Sequence, residues 1–138
     1  MDTYSPKAKE IIRGWQEIDV KDQILGRICV QIAHLLMGKG KPYFAYHMDC
    51  GDYVVVKNAK LVKTTGKKAL QKKYYSHSGY PMGFKEVSFQ RMSENKPENI
   101  ILEAVKGMLP QNKLRASMLK RLYIYPEENH PYKEKLSK

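Results

Sequence analysis

The segment KKYYSHSGY, residues 72–80, is where this 138-residue chain concentrates its chemically versatile side chains. Lysines such as Lys72 and Lys73 neutralise phosphates and release counterions. Tyr74, Tyr75, Tyr80 and His77 offer rings on which unpaired bases stack. Ser78 has a hydroxyl for a phosphate or a 2′-hydroxyl, and Gly79 and Gly83 allow a close backbone approach. The competing reading has the tyrosines alternating into a sheet with only the lysines outside, and for Tyr74 and Tyr75 residue type alone does not decide between the two. GKGKP, residues 38–42, is a second candidate phosphate contact through Lys39 and Lys41.

Other chemistry fits less well. TTGKKA, residues 64–69, contains the Gly-Lys of a phosphate loop. The earlier glycine of that motif is replaced by Leu61, and its Ser or Thr by Lys68, so the match fails. Asp49 and Asp52 flank a glycine and are the nearest approach to an acid/base pair, although such residues more often shape a turn. With His77 they define the one enzymatic alternative, an RNA-processing or RNA-modifying activity. His47 and Cys50 have two-ligand spacing, but a structural zinc site needs four ligands and no second pair exists. Neither a metal nor a cofactor is expected. Helix-turn-helix and zinc-finger patterns are absent. Lysine outnumbers arginine by 20 to 5, which favours recognition of backbone and shape over base edges.

The charge is unevenly placed. The net charge is +11, and all of it comes from two segments. Residues 39–85 carry ten lysines against Asp49 and Asp52, and residues 113–121 carry Lys113, Arg115, Lys120 and Arg121 with no acid. Two such clusters point to an anion-binding face rather than one solvated lysine patch. Two cysteines, Cys29 and Cys50, are too few for a disulfide-built fold. No apolar run approaches the roughly 20 residues that span a bilayer. The opening MDTYSPKAKEIIRGW has no apolar signal core, and its Asp2 and Glu10 disfavour a transit peptide.

These residues need a frame. WQEID, residues 15–19, alternates as a strand. Leu25, Ile28, Cys29, Ile32, Leu35 and Leu36 form one helical stripe, with Asp22 as its expected cap and Gly38 as its stop. Val54, Val55 and Val56 imply a strand buried on both faces. LVKTT, residues 61–65, is a weaker strand, and residues 67–83 read as a long loop or basic arm. FKEVSF, residues 84–89, suits a short strand or the lead into a helix. Pro97 opens a helix through Ile101, Ala104, Val105 and Met108. Leu114, Met118 and Leu122 mark another, and YIY, residues 123–125, a last strand. This alternation predicts an α/β single domain over residues 1–138: three α/β/α layers on a mostly parallel sheet, with a loose extension (1–14) and a loose tail (126–138).

The blocks LGRICVQIAHLLMGKGKP, DCGDYVVVKNAK, TGKK, KYYSHSGYP, AVKGMLPQNKL and LYIYPEENHP, in this order and spacing, resemble the large-subunit ribosomal protein L13 family. The opening TYSPKAKEI with the Trp15–Asp19 strand resembles its bacterial branch. The likeness runs from about Thr3 to Pro131. It implies four strands in the sheet, no enzymatic activity, and a structural role on large-subunit (23S-type) rRNA during early assembly of a cytoplasmic bacterial ribosome. It also implies protein neighbours of the L3 and L20 families. The rRNA-facing residues it carries over are Arg27, Lys39, Lys41, Lys67, Lys68, Lys73, Tyr75, His77, Ser78, Gly79, Tyr80, Lys106, Gly107 and Lys113. The charge pattern adds Lys72, Arg115, Lys120 and Arg121. The chain departs from the family pattern at Met82, at Arg115-Ala116 and at Tyr132–Lys135. A free regulatory RNA-binding protein would look the same in sequence.

Overall fold

The computed structural model describes residues 3–138; Met1 and Asp2, the start of the expected extension, lie outside the described residues. The chain runs through β1 (Trp15–Asp19), α1 (Leu25–Met37), β2 (Tyr53–Lys57), α2 (Lys68–Gln71), β3 (Lys73–His77), β4 (Phe84–Ser88), α3 (Phe89–Asn95), α4 (Pro97–Met108), α5 (Leu114–Lys120), β5 (Leu122–Ile124) and α6 (Lys133–Leu136).

β2 lies between β1 and β5, parallel to both, and Val55 stands opposite Glu17 on one side and Tyr123 on the other. The parallel sheet therefore has three strands rather than four. The expected strand at 61–65 reduces to one bridge between Ile24 and Lys63. Its side chains give the reason: Leu61, Lys63 and Thr65 are exposed and Val62 and Thr64 only half-buried, so no apolar face ties the segment to the sheet. β3 and β4 pair separately as an antiparallel hairpin.

Side chains alternate across a strand, and this sheet uses the alternation to build two different faces. On one, Ile18, Val54, Val56 and Leu122 join Ile32 and Leu36 of α1 and Ile100, Ile101 and Val105 of α4 in one apolar cluster. Each such side chain contributes about 1.5–3 kcal/mol when removed from water. Cys29 belongs to this cluster, and burial pushes its thiol up to about 11, which leaves it protonated and inert at neutral pH. α1 ends at Gly38, whose φ of 77° lets its N–H reach the His34 carbonyl. Its start differs from expectation. Asp22 has a φ of 58° and pairs with Lys63 at 2.7 Å, and no side chain caps the helix. α3 is capped by Ser88, whose hydroxyl accepts the Arg91 N–H at 3.3 Å, and Pro97 opens α4.

The second face carries Trp15, Tyr53, Val55 and Tyr123, and the tail closes over it. Trp15 stacks on Tyr53 with ring centres 4.5 Å apart. Tyr132 lies 5.1 Å from Trp15 and 4.6 Å from Tyr123. The Lys135 ammonium sits 4.7 Å above the Trp15 ring. His130, its side chain 1% exposed, bonds Glu17 at 2.9 Å. The tail over 126–138 is thus a docked cover rather than a loose end, because its His130, Tyr132 and Lys135 meet the aromatic face that β1, β2 and β5 present.

Glycine is required where α1 ends against the start of β2. A Cβ on Gly51 would overlap the Leu36 carbonyl and crowd the Arg121 guanidinium, whereas one on Gly26, in the first turn of α1, meets nothing within 4 Å. Gly51→Ala is expected to lower the thermal midpoint sharply, and Gly26→Ala to stabilise by about 0.4–1 kcal/mol, both read by thermal melts. The tail contact has a pH signature. The Glu17 carboxyl is held below its ordinary 4.5 first by the His130 hydrogen bond and then by Lys57, against burial. A lowered folded-state value stabilises above the unfolded value and is lost as pH falls through the folded one. Acid unfolding monitored by tryptophan fluorescence should therefore show a step below about pH 4.5 that Glu17→Gln removes.

Candidate nucleic-acid interface

The uncapped start of α1 forms one wall of an open groove of about 480 Å³. The first-turn N–H groups of a helix have no intrahelical acceptors and carry the positive end of its dipole. The bridge between Ile24 and Lys63 brings Thr64 and Thr65 alongside. Gly66, at a φ of 61°, then turns the chain so that α2 presents Lys68. Lys72 follows, its ammonium 5.4 Å from the Tyr74 ring. Arg27, Lys68 and Lys72 thus converge on one groove that no carboxylate lines, and none of the three forms a salt bridge among the described residues. Lys67 is exposed beside them.

The basic arm is α2 followed by the β3–β4 hairpin. The alternative left open for its tyrosines resolves by position. Tyr74 turns inward, half-buried, with its hydroxyl shielded and unpartnered; burial raises its pKa above the ordinary 10.0. Tyr75 turns outward, 64% exposed, and stacks on Phe84 at 5.7 Å. At the tip, the Gly79 N–H donates to His77 Nδ1 at 2.9 Å, and Gly79 has a φ of 82°. The Ser78 N–H bonds the Gly83 carbonyl at 3.2 Å, and a Cβ on Gly83 would overlap the Ser78 hydroxyl. His77, Ser78, Gly79 and Tyr80 are all exposed. Lys73 is not a free cation, since it pairs with Glu86 at 2.6 Å. Phe84 is the residue sequence reasoning missed here. Its signal is the hairpin register, which sets it opposite His77 and beside Tyr75.

The remaining cations divide in two. Lys39, Lys106, Lys113 and Lys120 are exposed, Arg115 is half-buried and Gly107 lies open at the end of α4. Lys41 and Arg121 point inward. Lys41 binds Asp52 at 2.6 Å and donates to the Ile12 carbonyl at 2.7 Å. Arg121, 6% exposed, donates to the Asp52 carbonyl at 3.0 Å and the Leu36 carbonyl at 3.2 Å, and pairs with Asp49. Burial lowers its pKa from the ordinary 12.5, and Asp49 opposes this. Arg121 is therefore a structural cation and leaves the outer face to its neighbours.

The same contacts account for the acid pair. Asp49 is 3.7 Å from Arg13 as well as paired with Arg121. Asp52 accepts the Gly14 N–H at 2.9 Å and the Lys41 ammonium. His77 sits apart from them in the hairpin. Both carboxylates are engaged as acceptors inside the fold, and the Asp49–Asp52–His77 site does not assemble. His47 is exposed while Cys50 is buried against the Tyr43 carbonyl. No three His, Cys, Asp or Glu side chains gather to hold a metal ion among the described residues, and no helix among them is long and apolar enough to cross a membrane.

Comparison with known proteins finds relatives along nearly the whole chain. The model of the family described as "Ribosomal protein L13" matches residues 13–131. The chain is similar to the large ribosomal subunit protein uL13 of Nitratidesulfovibrio vulgaris, with 51% identity over 96% of this chain and 92% of that protein. It is 50% identical to the protein of that name from Lawsonia intracellularis, over 94% of this chain and 92% of the relative. It is 48% identical to that from Paraburkholderia phytofirmans, over 96% and 93%.

The inward and outward charges are separable by mutation. Asp49→Ala leaves a buried guanidinium without its charge partner and is expected to cost about 3–5 kcal/mol in urea unfolding. Lys68→Glu, on the exposed rim of the groove, should stay within about 0.5 kcal/mol of the parent.

Proposed function

This chain belongs to the ribosomal protein L13 family, and we propose that it is a structural, non-enzymatic constituent of the large ribosomal subunit that binds rRNA and stabilises its fold. The observation that carries the mechanism is the convergence of Arg27, Lys68 and Lys72 on a groove without a carboxylate, at a helix start where the Lys63 carbonyl takes the Leu25 N–H and the Gly26 and Arg27 N–H groups have no partner among the described residues. A phosphate placed there meets three cations and the helix dipole together. Lys39, Lys67, Lys106, Lys113, Arg115 and Lys120 extend this surface toward further RNA segments. Tyr75, His77, Ser78, Gly79 and Tyr80 offer the hairpin to unpaired nucleotides, through stacking and close backbone approach. Lys73 supports the hairpin through Glu86 instead of reaching for phosphate.

Because these groups sit on elements packed into one core, binding holds separate RNA segments at fixed relative positions. That is the work of an early assembly protein, here in a bacterial cytoplasmic ribosome. Neighbours of the L3 and L20 families complete the proposed setting.

The test is RNA binding by the purified chain as salt is varied. For about six neutralised phosphates, log affinity for a large-subunit rRNA transcript should fall against log salt with a slope of roughly −4 to −5. The triple change Arg27→Glu, Lys68→Glu and Lys72→Glu should flatten the slope and block incorporation into subunits while the thermal midpoint holds. A flat salt response of the parent would count against the proposal.

A further inference from the structure

A second cavity, of about 270 Å³, lies between the loop after α1 and the turn joining α4 to α5. Its walls are the thioethers of Met48, Met108 and Met118 and the rings of Phe44 and Tyr46, and no carboxylate lines it. We propose that this pocket receives one unstacked base of the bound RNA; the proposal rests on RNA binding by the adjoining groove.

Four observations carry it. Tyr46 is 80% exposed, with its ring edge-on to Phe44 at 5.0 Å, so an aromatic face stands at the pocket mouth. Stacking on such a face, next to polarisable methionine sulfur, suits a base of any sequence. Second, Asn112 lines the pocket, and its carbonyl oxygen accepts the Leu114 N–H at 3.1 Å. That bond fixes the amide with its NH₂ as a donor, ready for a ring nitrogen or carbonyl on a base edge.

Third, the surroundings are cationic. Residues 38–48 and 104–126 contain no Asp or Glu. Lys39, Lys106, Lys113 and Arg115 have no salt-bridge partner among the described residues. A base brings its own phosphate to meet these cations, whereas an apolar protein side chain brings none. Fourth, Met108 lines both this pocket and the groove of Arg27, Lys68 and Lys72. A strand whose phosphates follow the groove passes the pocket mouth.

The test uses the full chain, a large-subunit rRNA transcript and base modification by dimethyl sulfate for A and C and by a carbodiimide for U and G. Tyr46→Ala is expected to weaken binding about tenfold, keep the salt slope and thermal midpoint, and restore modification at a single nucleotide that the parent protects. Tyr46→Phe should bind like the parent, because the ring rather than the hydroxyl stacks. If Tyr46→Ala keeps parental affinity and footprint while charge reversal at Lys68 and Lys72 still weakens binding, the pocket proposal falls and RNA binding by the groove stands. Loss of a neighbouring ribosomal protein from subunits, with RNA binding unchanged, overturns it in favour of a protein side chain as occupant. A lowered melting point or a flatter salt slope for Tyr46→Ala overturns it in favour of a structural or charge role. A parent chain with no affinity for rRNA overturns both readings.

Discussion

A guanidinium without water has to be given acceptors, and Arg121 takes its acceptors from three separate places. The Leu36 carbonyl lies near the end of α1, the Asp52 carbonyl at the entry to β2, and Asp49 in the loop between. The ion stands at the end of α5, immediately before β5. Desolvating such a charge is costly unless it is paired and bonded, so the helix end, the loop and two strands take up positions that suit it. Arg13 binds the Gly51 and Asp49 carbonyls at 2.7 and 2.9 Å from the far side, and little space remains at Gly51.

That constraint sorts the cations of a strongly basic chain. Lys41, Lys73 and Arg121 meet carboxylates within the fold, while Arg27, Lys68 and Lys72 meet none. The paired set ties elements of the fold together, and the unpaired set is left with charge for an external anion to neutralise. Exposed ion pairs contribute little to stability. A surface of unpaired lysines therefore weakens the isolated protein only slightly and remains available to a polyanion.

The parts of this arrangement that depend on local pattern were readable in the sequence. The apolar stripe of α1, the Val54–Val56 run, Pro97 at the head of α4 and Gly38 at the end of α1 each act through a few neighbouring residues, and each appears where the pattern put it. The parts that depend on distant partners were not. Arg121 lies 85 residues from Leu36, and nothing near it in the chain distinguishes it from Lys120. Asp22 has the side chain of a cap, but its left-handed backbone and Lys63 take it elsewhere. The segment at 61–65 has strand-forming residues without an apolar face. The tail reads as polar, and its role rests on His130, Tyr132 and Lys135 meeting a face made of β1, β2 and β5. At the candidate interface, motif resemblance and charge pattern named Arg27, Lys68 and Lys72 without showing that the fold brings them to one groove, and which lysines are already paired was decided by folding.

The docked tail also orders events in time. Translation delivers β1, α1 and β2 before β5 and the residues that cover Trp15, Tyr53 and Val55. Until they clear the exit tunnel, the growing polypeptide carries an uncovered aromatic surface, an unpaired edge on β2, and Asp49 without Arg121. Closure therefore waits for the tail to emerge. A chain cut short by a premature stop cannot hide that surface, and it offers holding chaperones and degrading proteases a simple chemical mark of an unfinished product.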